Sequence, residues 1–146
     1  GQTDSQIWYE YDLEGRLVAD EWDYQGDGTP DYSRSYTYDD AGLLSVMRVD
    51  SDADGTDDEQ ITHQYDESGN ILEITTDEGM DGQWDQITEY TYQSCQLASI
   101  SEVELSGSSN TIDYRYHPDG RLFREDYDWD ADGGRDAFAA WEYVCP

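Results

Sequence analysis

Positive charge is scarce in this chain. Of its 146 residues, 36 are Asp or Glu and only 7 are Lys or Arg, giving a net charge of −29. A field of that sign repels phosphate backbones and anionic headgroups, so nucleic acid and anionic membrane surfaces are excluded as partners. Long apolar runs are missing as well. No stretch approaches the roughly 18 consecutive apolar residues of a membrane span, so no membrane insertion is expected. Histidine is limited to His63 and His117, with no zinc-type spacing. Carboxylates are so common that no pair stands out as an acid/base couple. The chain is therefore not expected to be an enzyme. Neither asparagine is a glycosylation acceptor: Asn70 precedes Ile71-Leu72, and Asn110 precedes Thr111-Ile112. No signal peptide is visible and the chain opens at Gly1 without Met, which reads as a mature or excised segment.

A mean hydropathy of −0.95 and so much like charge would, taken alone, suggest disorder. Two features oppose that reading. Aromatics make up 14% of the chain, including 13 Tyr and 5 Trp, where disordered acidic tails are poor in them. Many of the acids also recur at fixed spacing instead of in blocks. Asp50-Ser51-Asp52-Ala53-Asp54-Gly55-Thr56-Asp57-Asp58 has the form D-x-D-x-D-G-x-x-D, with carboxylates at loop positions 1, 3, 5 and 9 and a glycine at position 6 for a sharp turn. Calcium takes six to eight oxygen ligands, and this spacing wraps several around one point.

Three more stretches match. The loop from Asp128 carries Asp128, Asp130, Asp132 and Asp136; the loop from Asp23 carries Asp23, Asp27 and Asp31 with Gln25 at position 3; the loop from Asp77 carries Asp77, Asp81 and Asp85 with Gly79 there. Side-chain ligands are expected at positions 1, 3, 5 and 9, and a backbone carbonyl at position 7, from Thr29, Thr56, Gln83 or Gly134. About four ions are expected, held most strongly at Asp50–Asp58 and Asp128–Asp136, where four repelling carboxylates most need a cation. Calcium is favoured over Mg²⁺, which keeps its waters; lanthanides should also bind. The EF-hand reading fails, because Arg34, Ile61, Thr88 and Ala139 stand where its position-12 Glu would be.

A second motif lies between the loops: Tyr-x-Tyr, a short step, Gly, any residue, then Leu or Ile. Its copies start at Tyr9, Tyr36, His63, Tyr90 and Tyr114, and Trp141 begins a partial one. Successive steps are 27 residues apart from one of 24, so residues 1–146 are read as one repeat domain. The short step is assigned to residues 104–113, a degenerate loop expected to hold no ion. Turn signals alternate with short β-prone runs, which predicts eleven strands at 7–12, 16–23, 31–38, 43–50, 58–65, 70–77, 85–92, 96–104, 110–116, 121–128 and 136–144. The expected fold is an all-β, up-and-down antiparallel array of about five 27-residue hairpins. All metal loops lie along one edge, and the Tyr-Asp turns along the other.

The Tyr-Asp-x-x-Gly-x-Leu units at Tyr11–Leu17, Tyr38–Leu44 and Tyr65–Ile71 resemble the YD repeat of the RHS and teneurin families. The chain departs from that pattern where Asp becomes Gln93 or His117 and where Gly becomes Cys95. The resemblance implies hairpins spiralling into a strongly curled sheet, barrel or shell on large secreted or surface proteins, and implies no enzymatic activity. The acidic loops are similar to the calcium loops of thrombospondin type 3 repeats, dockerins and integrin α-propeller blades.

Tyr pairs at i and i+2 share one sheet face and are expected to stack as core. Trp22, Trp84 and Trp129, near the metal-loop edge, are the candidates for an exposed sugar-binding surface. Cys95 and Cys145 would make one disulfide in an oxidising compartment. A flat sheet would hold their turns roughly 14 Å apart at about 4.8 Å per strand, so a bridge requires the sheet to curl. These clues agree on a secreted or cell-surface location, where calcium is plentiful. The expected role is a calcium-rigidified structural or adhesion module contacting a surface protein or glycan. Its rivals are a calcium-dependent carbohydrate-binding module and a dedicated calcium- or lanthanide-capture protein.

Overall fold

A computed structural model describes residues 5–141. Eleven strands form: β1 (Gln6–Tyr11), β2 (Leu17–Asp23), β3 (Tyr32–Tyr38), β4 (Leu44–Asp50), β5 (Glu59–Tyr65), β6 (Ile71–Glu78), β7 (Gln86–Gln93), β8 (Gln96–Glu104), β9 (Ser109–Tyr116), β10 (Leu122–Asp128) and β11 (Ala137–Ala140). The first ten agree with the predicted bounds to within one residue. They pair in chain order as one sheet, antiparallel wherever the register is described. Up-and-down connection sends alternate links to opposite ends, so the acidic loops and the Tyr-Asp turns segregate as expected. Closure into a barrel does not occur among the described residues: the order runs from β1 to β11 without returning.

The chain divides into two compact units. One holds residues through Gln64 together with Thr75–Trp84; the other holds Tyr65–Ile74 and the chain from Asp85 onward.

In the first unit, the Tyr-Asp turns are built alike. Asp12 N–H donates to the Arg16 carbonyl at 2.9 Å, and Gly15 N–H to the Asp12 carbonyl at 3.1 Å. The Asp12 carboxylate accepts the amides of Glu14 at 3.0 Å and Arg16 at 2.8 Å. This is a type I turn closed by a left-handed residue, Gly15 at φ +83°. A Cβ there would meet nothing within 4 Å, so the glycine answers to backbone conformation alone. Asp39 repeats the pattern, accepting from Ala41 and Leu43.

The second unit shows how the array tolerates irregular repeats. At Gln93-Ser94-Cys95-Gln96 the turn has two central residues, both left-handed, with Ser94 at φ 53° and Cys95 at φ 64°, and Gln93 faces Gln96 in register. That is a type I′ hairpin, one residue shorter than its counterparts. The 24-residue step therefore loses one residue here and two in the following loop, which corrects the assignment of all three to residues 104–113. The degenerate loop has become a Tyr-Asp-style turn. Glu104 N–H bonds the Ser108 carbonyl at 2.9 Å, Gly107 N–H bonds the Glu104 carbonyl at 2.9 Å, and Gly107 is left-handed at φ +95°. The double replacement Ser94→Asn/Cys95→Gly, which supplies residues at ease with positive φ, is expected to stabilise the protein by about 1 kcal/mol in a chemical denaturation series.

Cys95 is an exposed free thiol. The predicted bridge to Cys145 is not formed among the described residues, and Cys145 lies outside them.

The apolar interior is minimal. Val49 is the single buried apolar side chain among the described residues; Asp20, Asp23, Asp50, Thr76 and Asp126 are the buried polar ones. The tyrosines alternate with more exposed neighbours in β7 and β9, so each pair does share a face. They are half-buried instead of forming a closed core, and Tyr9 and Tyr11 on the edge strand are 54% and 59% exposed. Among the described residues a single sheet forms, and no second layer covers its aromatic face.

The first unit makes up for this with a polar anchor. Asp20, 2% exposed, receives Arg34 in a two-pronged bond at 3.0 and 2.8 Å, the Tyr36 hydroxyl at 3.0 Å and the Trp22 indole at 3.2 Å. Burial, then the bond to Asp20, pushes the Tyr36 hydroxyl up to about 12.

Candidate metal centre

Each acidic loop folds its first carboxylate inward beneath its own backbone. Asp23 is completely buried and Asp50 is 6% exposed. Asp50 accepts the amides of Asp54 at 3.1 Å and Gly55 at 2.8 Å. Asp128 accepts those of Asp132 at 3.2 Å and Gly133 at 2.9 Å, and Asp77 those of Asp81 at 3.2 Å and Gly82 at 3.0 Å. Asp23 takes three amides, from Gly26 at 2.5 Å, Asp27 at 3.3 Å and Gly28 at 2.8 Å. At Asp50, Asp77 and Asp128 each oxygen accepts one such bond and keeps a lone pair for a cation, whereas Asp23 Oδ1 already accepts two.

Position 5 is fixed in the same manner by the amide of position 7: Thr29 to Asp27 at 2.9 Å, Thr56 to Asp54 at 2.8 Å, Gln83 to Asp81 at 2.8 Å and Gly134 to Asp132 at 2.6 Å. Position 9 accepts the amide of position 2: Tyr24 to Asp31 at 2.8 Å, Ser51 to Asp58 at 2.7 Å and Trp129 to Asp136 at 2.8 Å. Position 4 is left-handed throughout, as Gly26 (φ 68°), Ala53 (φ 53°), Met80 (φ 55°) and Ala131 (φ 49°). Three of the loops thus accept a strained non-glycine residue to hold this shape.

Two of the loops bring three carboxylates together. In each of the sets Asp50, Asp52, Asp54 and Asp128, Asp130, Asp136, one oxygen per residue lies within 4.8 Å of the others. These are the loops with four carboxylates. The fourth member stands outside each triad. Asp58 is engaged by the Ser51 amide at 2.7 Å and hydroxyl at 2.5 Å, which hold its carboxyl below the usual range. Asp132 is bonded by Gly134. At Asp130 the Asp132 amide pulls the pKa down, but the neighbouring charge of Asp132, slight burial and Asp136 together carry it upward.

The other two loops form no triad among the described residues. In the first, Gln25 Nε2 donates to Asp31 at 2.6 Å and the Thr29 hydroxyl to Asp27 at 2.5 Å. In the third, Gly79 has no side chain to offer, and its amide donates to the Asp58 carbonyl at 2.6 Å. That bond ties the third loop to the end of the second.

Sequence reasoning missed one device. The residue two before each loop and the residue at position 8 carry opposite charges in the two triad loops, with polarity reversed. Arg48 Nε lies 3.6 Å from Asp57, and Asp126 lies 3.2 Å from Arg135 Nη1. The loops from Asp23 and Asp77 have Glu21 with Pro30 and Thr75 with Trp84 at these places and no such pair. Exchanging the first pair, Arg48→Asp/Asp57→Arg, is expected to restore most of the loss caused by either single change. A terbium-luminescence affinity cycle measures it.

Of the three tryptophans, Trp129 is 65% and Trp84 is 44% exposed. Trp22 is half-buried; its indole donates to Asp20, and its ring lies 6.0 Å from that of Tyr24, tilted by 42°.

No family model matches the chain, and no curated protein matches it either. Solved structures do. The chain is similar to a segment of TcdB2-TccC3-TEV, with a TM-score of 0.65 and 21% identity over 84% of this chain and 5% of that one. It is similar to a segment of TcdB2-TccC3, with a TM-score of 0.60 and 17% identity over 94% of this chain and 9% of that one. The Photorhabdus luminescens Tc holotoxin pore gives a TM-score of 0.55 and 18% identity over 84% and 8%. At these identities the likeness is one of fold. The chain spans less than a tenth of each of those chains.

Proposed function

We propose that this chain is a calcium-binding structural segment of the RHS/YD type, which becomes rigid when its acidic loops take up Ca²⁺ outside the cell. The observation that carries this reading is the convergence of Asp50, Asp52 and Asp54, and of Asp128, Asp130 and Asp136, each within 4.8 Å. Three carboxylates at that separation repel one another until a hard cation sits among them. The scarcity of buried apolar surface adds a reason why cations would matter to stability. The likeness to TcdB2-TccC3 segments, each of which belongs to a far longer chain, supports a place as one part of a larger β assembly, and the absence of any outstanding acid/base couple supports a non-enzymatic role. Asp50–Asp58 and Asp128–Asp136 are the strong sites; Asp23–Asp31 and Asp77–Asp85 would fill later.

Terbium and calcium titration of EDTA-stripped protein, followed by luminescence, circular dichroism and melting, tests the proposal. At least two tightly bound ions with a gain in β signal and melting temperature are expected. A stripped protein already fully folded and indifferent to calcium would overturn it. The exposure of Trp129 beside the fourth loop favours a second reading, calcium-dependent glycan binding, which a glycan array with and without calcium decides.

A further inference from the structure

The irregular turn residues of this array gather at one place. Its turns depart from their pattern at Gln93 and His117, which replace Asp, and at Cys95, which replaces Gly. Gln93 and His117 line the same open cleft, of about 520 Å³. Cys95 stands between Ser94 and Gln96, which line it too. The cleft lies at the turn end of the second unit, between the β7–β8 and β9–β10 turns. Gln96 Nε2 bridges those turns by donating to the Gly120 carbonyl at 3.0 Å, and Tyr116 and Phe123 add rings to the wall.

These replacements redirect side chains. In the regular turns Asp12 and Asp39 fold back on themselves, each accepting two backbone amides. At His117 the equivalent amide, that of Arg121, is taken by Asp119 at 3.2 Å. The imidazole packs against Phe123 instead, with ring centres 4.8 Å apart and tilted by 44°. Gln93 sits in the turn that is one residue short, facing Gln96 in register. Charge has been removed along with the aspartates. Of the 146 residues 36 are acidic, yet none of the eleven that line the cleft is. Asp119, in the same turn, is tied to Arg121 at 2.7 Å. Arg115 borders the cleft, but its Nε lies 2.8 Å from Asp126, which answers its charge.

We infer that this cleft binds one ring of a neutral sugar. With no carboxylate in the lining and its one guanidinium already answered, it selects neither a cation nor an anion, and the net charge of −29 disfavours anions further. Its volume falls in the range of small-ligand sites, roughly 300–1,000 Å³. A pyranose has an apolar C–H face and a rim of hydroxyls that both donate and accept. The rings of Tyr116 and His117 offer flat surface to the face. The Gln93 and Gln96 amides and the Ser94 hydroxyl offer donors and acceptors to the rim. Gln93 and Ser94 are exposed, so they exchange bonds to water for bonds to the ligand and strand no buried partner. The cleft lies at the opposite end of the strands from the acidic loops, so its binding requires no calcium and is distinct from a glycan site at Trp129.

Titration of the ¹⁵N-labelled full chain with glucose, galactose, N-acetylglucosamine and sorbitol, in EDTA and in calcium, tests this. The signals to follow are the side-chain amides of Gln93 and Gln96 and the backbone amides of residues 93–98 and 114–117. At least one of the three ring sugars is expected to shift these signals saturably in the millimolar range, equally in EDTA and in calcium, and open-chain sorbitol is expected to shift none. Tyr116→Ala should abolish the shifts. His117→Asp should abolish them too, without lowering the melting temperature, because Asp is the residue of the regular turns and folds back onto its own amides. Absence of a saturable shift with every ring sugar, an equal response to sorbitol, shifts that require calcium, or undiminished binding by His117→Asp would overturn the assignment.

Discussion

Asp52→Ala is expected to leave the calcium-free protein almost unchanged, yet to remove about half of the melting-temperature rise that calcium produces. Asp52 is exposed, and its one described bond is from the Asp54 amide at 3.2 Å, a donor that also reaches Asp50 at 3.1 Å. Removing the side chain therefore strands no buried group, and the loop keeps its amide cage around Asp50. The loaded state loses one of three converging carboxylates. An ion present at 100 times its dissociation constant stabilises the folded state by about 2.7 kcal/mol. For a chain of this size that is roughly 8 °C per ion. Two strong sites would give a shift of about 16 °C, falling to about 8 °C in Asp52→Ala and to near zero when Asp130→Ala is added. Differential scanning calorimetry in EDTA and in calcium measures both ends. Equal calcium shifts in parent and double variant would remove the two triads from the account.

Strands and loop positions were legible because both rest on short-range rules. Alternation marks a strand with one covered face, and the Asp-x-x-Gly step marks a left-handed turn residue, as Gly15 and Gly69 at φ +83° each show. Even the shortened turn at Cys95 was countable, since Tyr92 and Leu97 stand one residue closer than Tyr11 and Leu17. What was not legible depends on register and on layers. Asp20 meets Arg34 because β2 and β3 pair at that step, and nothing in the spacing alone selects that partner. Membership of each triad was also hidden: Asp58 and Asp132 satisfy the ligand pattern as well as their neighbours do, and the position left out differs, the ninth in one loop and the fifth in the other. The tyrosine pairs look like core in a one-dimensional pattern, but a pattern cannot say whether a second layer exists to bury them. Closure of the sheet lies beyond any repeat count for the same reason.

Asp20→Ala is expected to lower stability by about 3 kcal/mol, roughly 10 °C in melting temperature, without changing the number of ions bound. The loss would come from Arg34, which would keep its place among Tyr32, Tyr36 and Trp22, with ring centres each 5.8 Å away, but have no carboxylate to answer it. Arg34 is 29% exposed, so water recovers part of the deficit and the loss falls at the low end for a broken buried pair. Acid should reproduce the effect in the parent. Burial alone would raise the Asp20 pKa, but the bonds from Arg34, then Tyr36, then Trp22 outweigh it and hold the group below its ordinary 3.8. A carboxyl depressed on folding adds stability above its unfolded value and loses that contribution as pH falls through the folded one. The parent should therefore lose stability more steeply than Asp20→Ala from about pH 4 downward, and the two denaturation curves should converge there. Measured in EDTA, the comparison separates this anchor from the loops, because the triads then contribute no ion in either protein. Parallel curves across the acid range would mean that the Arg34–Asp20 pair carries little net stability and that cross-strand aromatic contacts hold the first unit together.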